Sequence, residues 1–241
     1  MRYIQRHSLL TRVTHGVVAI GCILLAITGV FVFVPSLGGG IMGGEFTHTM
    51  RMIHRLLAIP FILVPIIAVL ISPRGCWHLF KNDIFGKWDK DDYTWAAKFP
   101  FYLFAPGKVH MPPQHHVKSA QRLADGALVF FCIGLALSGI VLWLNTGIPF
   151  AGGWTVKLSP TTLMAARLVH DICFFLCVFV GIAHIYLGAG IFKPYRGTHR
   201  IMFGDGKVSE SDAAYHWGYW ANDEIAIGRN VTGEPDKAKK N

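Results

Sequence analysis

Apolar residues along the chain gather into four long runs, at about 13–34, 52–71, 124–144 and 166–192. Each reaches the roughly 20 residues that a helix needs to cross the hydrocarbon core of a bilayer. A backbone in lipid must satisfy its own N–H and C=O groups, so separate runs of this length cross as helices. The pattern predicts an all-α fold, an integral membrane four-helix bundle over residues 1–192 with a polar tail over 193–241. Pro60 and Pro65 fall inside the second run, where neighbouring membrane helices can re-satisfy the freed carbonyls, and a kinked helix is expected. The first run is long, is followed by Pro35 and a glycine run, and lacks a small-x-small cleavage site, so it reads as a retained helix. Between the runs lie a glycine-rich link (36–49), a long aromatic and basic link (72–123) and a shorter one (145–165). Trp77, Trp88, Trp95 and the 99–104 aromatics make the long link read as an interfacial helix. No repeat is evident.

Composition sharpens the membrane assignment. Of 241 residues, 52% are apolar and only 15% charged, and the mean hydropathy is +0.41. The net charge of +9 is compatible with nucleic acid, an anionic surface or cytoplasmic loops, and its distribution decides. The N-terminal arm, the 72–123 link and the tail hold 19 of the 23 basic residues, against Arg51, Lys157 and Arg167 on the opposite side. That asymmetry puts both termini in the cytoplasm, in a multi-pass protein of the cytoplasmic (inner) membrane. Topology accounts for the charge, and no nucleic-acid partner is expected. The spans use up the length, so any soluble catalytic domain belongs to another chain. Four of five cysteines lie in apolar runs, so no disulfide framework is implied; the absence of CxxCH excludes covalent c-type haem, and no CxxC pair offers a zinc or iron-sulfur site.

Histidine carries the candidate chemistry. His15, His54, His170 and His184 lie inside the spans, where an ionisable side chain marks a functional site by default; interhelical hydrogen bonding is the competing reading. Alternating helix directions put His54 and His170 near the outer surface, and His15 and His184 near the inner one. His170 and His184 are 14 residues apart, which returns to within about 40° of one helix face after about 21 Å of rise. Two pairs of imidazoles at two levels suit two six-coordinate haem irons of the b type, held noncovalently, whereas zinc would gather four ligands together. Gly16, Gly21, Gly29, Gly181 and Gly188 would let a flat macrocycle approach the backbone, although such residues also simply pack helices. Arg51, Arg55 and Arg167 at the outer level, with Arg12 and Lys193 at the inner, could pair propionates or serve as interface anchors.

Four segments carry a resemblance: RVTHGVVAIGCILLAITGVFVFVP around His15, MRMIHRLLAIP around His54, RLVHDICFFLCVFVGIAHIYLG with His170 and His184, and GTHRIMFGDGKVSESDAAYHWGYW in the tail. Together they resemble, over nearly the full length, the cytochrome b (gamma) subunit of membrane-bound formate dehydrogenases. The resemblance implies four helices holding two b haems, one on His15 and His184 and the other on His54 and His170. It implies a catalytic (alpha) subunit and an iron-sulfur (beta) subunit as partners, with electrons passing to menaquinone or another quinone at the cytoplasmic side. It also implies quinone contacts at the turn before the third helix. Here Lys118 and Ala120 stand where the family has Asn and Gly, and Lys118, Gln121 and the His115-His116 pair are the candidates. Oxidation of the donor would then lie on another chain and quinone reduction on this one. The cytochrome b subunits of nickel-iron hydrogenases and thiosulfate reductases share this logic, and a haem sensor or a structural membrane protein are the non-respiratory alternatives.

Overall fold

The structure, a computed structural model, describes residues 2–38, 44–147 and 153–234. The main elements are β1 (Tyr3–Gln5), α1 (Leu9–Phe33), α2 (Glu45–Ile71), α3 (Pro73–His78), α4 (Lys90–Phe104), α5 (Ser119–Thr146), α6 (Pro160–Gly188), α7 (His199–Phe203), β2 (Lys207–Ser209), α8 (Glu210–His216), α9 (Gly218–Ile227) and β3 (Val231–Thr232). They form two compact units that cut across the linear division at residue 192, one of residues 16–71 and 127–182, the other of 1–15, 72–126 and 183–241.

The first unit contains most of α1, α2, α5 and α6, four helices long and apolar enough to cross a membrane. Their outward side chains stay apolar, with Phe130, Leu137, Phe179 and Ile182 largely exposed, and lipid is the natural cover for such a surface. Small residues bring the helices together: Gly21 faces the Phe61 ring, and Gly134 faces the Cys173 side chain. The helices are longer at their starts than the apolar runs, with α2 beginning at Glu45, α5 at Ser119 and α6 at Pro160. Hydropathy marks the lipid-facing part of a helix rather than its hydrogen-bonded length. At its other end α6 stops at Gly188, short of 192, because Gly190 turns the chain at φ +73° and a Cβ there would stand 2.7 Å from the Tyr195 carbonyl oxygen. Helix α2 runs through both Pro60 and Pro65 without a break. The 36–49 and 145–165 links lie partly outside the described residues.

The expectation that the chain has no repeat is corrected. Arg12, Gly16, Cys22-Ile23, Leu25-Ala26 and Gly29 of α1 recur in the same order and spacing as Arg122, Gly126, Cys132-Ile133, Leu135-Ala136 and Gly139 of α5. Arg51 and His54 of α2 likewise recur as Arg167 and His170 of α6. Exchanges of one apolar residue for another dilute the pattern between these anchors.

In the second unit the tail is a folded part. Strand β1 lies between β2 and β3 in an antiparallel sheet, with Ile4 opposite both Val208 and Val231. Ile4, Ile201, Val208, Ala213, Trp217, Trp220 and Ala221 form its core. The 72–126 segment supplies α3, a wider π-type turn at Leu79–Ile84, and α4. A capping box starts α4: Asp89 accepts from the Asp92 N–H at 2.8 Å and the Asp89 N–H donates to Asp92 Oδ2 at 3.1 Å. Asp92 is itself buried, pairs with Arg122 at 3.5 Å, and its carbonyl accepts from Ser119 Oγ at 2.8 Å, tying α4 to the start of α5.

Candidate functional site

In the four-helix unit, His54 of α2 and His170 of α6 face each other with ring centres 6.3 Å apart. Each ring is oriented by a hydroxyl one helix away. The Thr28 hydroxyl donates to the Leu24 carbonyl at 2.9 Å, which leaves its lone pair to accept from His54 Nδ1 at 2.9 Å. The Ser138 hydroxyl donates to the Gly134 carbonyl at 2.6 Å and accepts from His170 Nδ1 at 2.9 Å. With the hydroxyl proton committed to the backbone, the imidazole proton must be on Nδ1, and each Nε2 keeps a free lone pair. Gly29 and Gly139 face these rings: a Cβ at either would lie 3.4 Å from Cε1 of His54 or His170, in van der Waals contact.

In the second unit His15 and His184 have ring centres 6.2 Å apart. His184 Nδ1 lies 3.4 Å from Asp125 Oδ1, and Gln121 Nε2 donates to the other carboxylate oxygen at 3.1 Å. The Phe203 ring meets His15 edge-on, and His15 Nδ1 is buried without a partner among the described residues. Asp125 occupies the position in α5 that His15 occupies in α1, so this pair does not follow the repeat and the hydroxyl-histidine pattern is confined to His54 and His170.

A family model described as prokaryotic cytochrome b561 matches residues 6–205. The chain belongs to that family. It is a membrane cytochrome b, a b-haem electron-transfer protein with four spanning helices. No curated protein matches the chain.

The residues of this cytochrome fit a b haem. A metal-imidazole bond is about 2 Å and each ring nitrogen is about 1.1 Å from its ring centre, so two imidazoles on one iron hold their centres about 6.2 Å apart. Both observed separations are close to that value. Among the described residues, buried donors without partners include Arg12 Nε, one turn before His15, and Trp143 Nε1, one turn after Gly139. Carboxylates such as haem propionates would satisfy them. Of the glycines singled out in the sequence, Gly29 faces His54, Gly188 lies near His184, and Gly16 and Gly181 have nothing among the described residues within 4 Å of where a Cβ would stand, while Gly21 packs against Phe61. Sequence reasoning missed Thr28, Ser138 and Gly139. The Thr28-Gly29 and Ser138-Gly139 pairs at equivalent places in the repeat were the available signal.

Lys118 and Gln121 are not brought together. Gln121 joins Asp125, whereas Lys118 is only 3% exposed, donates to His216 Nδ1 at 2.9 Å and lies 3.8 Å from the centre of the Tyr195 ring. Lys118 is therefore no solvated helix start. It lines a cavity of about 500 Å³ with Trp95, Tyr102, Tyr195, Tyr215 and His216. Burial, followed by the charge of Arg6, pushes the Lys118 ammonium well below its usual range. Burial, and then Lys118 and Arg6, push His216 down to about 2. His115 Nε2 lies 3.1 Å from Asp89 Oδ2, and His116 Nδ1 lies 3.3 Å from Asp83 Oδ1.

Proposed function

We propose that this cytochrome is the membrane anchor and di-haem b electron-transfer subunit of a formate dehydrogenase-like respiratory complex. His54 and His170 hold one haem through Nε2, at the outer side of the membrane, and His15 and His184 hold the other at the inner side. The observation that carries this reading is the two facing imidazole pairs at 6.3 and 6.2 Å, three of whose four Nδ1 atoms are engaged by Thr28, Ser138 and Asp125. Bound b haem supplies one-electron oxidation and reduction. The chain's own residues fix imidazole orientation and tautomer, exclude water with apolar helices, and offer buried donors to carboxylates. The partners are an iron-sulfur subunit and a catalytic subunit, with both termini of this chain cytoplasmic as the basic-residue asymmetry supports. Menaquinone or another quinone is the acceptor. Its site is the aromatic cavity at Lys118 and His216, where the buried amine can donate to a quinone oxygen, while Gln121 acts through Asp125 on His184.

The family is broader than one complex, so the cytochrome b subunit of a nickel-iron hydrogenase or thiosulfate reductase is the second reading. Identification of the chains that co-purify separates the two. For haem binding itself, pyridine haemochrome analysis should find two haems per chain, and His54→Ala or His170→Ala should leave one. One haem in the unaltered protein, or loss of both from a folded single variant, would overturn the assignment.

A further inference from the structure

Three cysteines unused by the haem sites converge in the four-helix unit. The sulfurs of Cys22 of α1, Cys132 of α5 and Cys177 of α6 all lie within 4.8 Å of one another, with 3.8 Å between Cys22 and Cys177. Buried cysteines often act as small apolar residues, yet these come from three different helices. Cys22 and Cys132 also occupy the same place in the two copies of the repeat, and Cys177 is seven residues from each of His170 and His184 along α6. Their surroundings are therefore apolar and far from either end of the spanning helices.

We infer that Cys22, Cys132 and Cys177 form a three-sulfur site for one Cu(I) ion. Sulfur ligands select soft ions. With metal-sulfur bonds of about 2.3 Å, three sulfurs around one ion stand about 4 Å apart, near the spacing already present. Zinc prefers four ligands, and among the described residues no fourth ligand joins the group. Charge favours the monovalent ion as well. Cu(I) bonds to three sulfurs, one S–H bond breaks, and that proton is released to water, so the assembled centre carries no net charge in hydrocarbon. No electron is transferred, and the ion joins α1, α5 and α6.

The test uses the haem-loaded protein in detergent, titrated anaerobically with Cu(I) against bicinchoninate. The unaltered chain should hold one Cu(I), with three sulfurs at about 2.3 Å by X-ray absorption. Cys22→Ser, Cys132→Ser and Cys177→Ser should each weaken retention at least about tenfold, with an unchanged haem spectrum reporting an intact bundle. Cys76→Ser, outside the cluster, should bind like the unaltered chain. No uptake by the unaltered chain, equal uptake by the three cluster variants, equal competition by Zn(II), or recovery of Cys22 and Cys177 as a disulfide would overturn the inference. If a cluster variant fails to fold, Ag(I) uptake by the unaltered chain, counted with and without prior alkylation of the thiols, decides in its place: one thiol-dependent ion supports the site and none overturns it.

Discussion

Thr28 and Ser138 each use one hydroxyl twice, donating to their own helix and accepting from an imidazole on the next. Removing the acceptor frees the ring to rotate and lowers the basicity of Nε2. Thr28→Val and Ser138→Ala should therefore each weaken haem retention about tenfold at the His54-His170 pair alone, read by haem content and optical redox titration. A Thr28→Ser variant, which keeps the hydroxyl, should behave as the unaltered protein. Lys118 is the other residue whose surroundings are informative. Lys118→Ala leaves His216 Nδ1 without its donor, a loss of about 1–3 kcal/mol, and should slow quinone reduction while haem content and reduction by the donor stay intact. Gln121→Ala should instead alter the spectrum of the haem proposed at His184, since its amide reaches Asp125. The four histidines were legible because an ionisable residue in an apolar run stands out at once. The hydroxyls were not, since Thr and Ser are ordinary packing residues in membrane helices and only a hydrogen bond to a particular ring distinguishes these two.

At the scale of elements, hydropathy located the four spans but not their ends. Helix α2 begins a full two turns before its apolar run, carrying Glu45, Thr47, His48 and Arg51 as helix rather than as link. A hydrogen-bonded backbone continues into the interface wherever nothing stops it, and hydropathy does not register that. Helix α4 was anticipated only as an interfacial segment, although its capping box is explicit in the spacing of Asp89 and Asp92. Asp89→Ala removes the side-chain acceptor of the Asp92 N–H at the start of this helix and should cost about 1 kcal/mol, visible as earlier thermal unfolding of the second unit. The backbone N–H of Asp92 is the main cause that lowers the Asp89 carboxyl pKa. The cap is therefore present above the ordinary aspartate range and is lost as pH falls below it.

For the whole molecule, the membrane half could be read from composition, while the sheet-containing unit could not. Strands of three and two residues are too short to show a period, and their partners lie some two hundred residues apart. That unit should be sensitive to acid. Burial first, then Arg6 and His116, push His7 down to about 3, and His216 lies at about 2. Both imidazoles stay neutral in the fold where the unfolded chain takes up protons below about 6.5. Their contribution to stability is complete above that value and falls as pH drops toward 3. Tryptophan fluorescence followed between pH 7 and 4 should report loosening of this unit, and His216→Phe should flatten the dependence. The same sheet also imposes an order in time. The strand Tyr3–Gln5 is translated some two hundred residues before either of its neighbours. At about 5–20 residues per second, the gap to Lys207 keeps β1 unpaired for roughly ten to forty seconds, while the four spans enter the membrane. Closure of the sheet is thus a late event in synthesis, and a nascent chain stalled before β2 exposes a strand with both edges open, a natural mark by which quality control could recognise an unfinished copy.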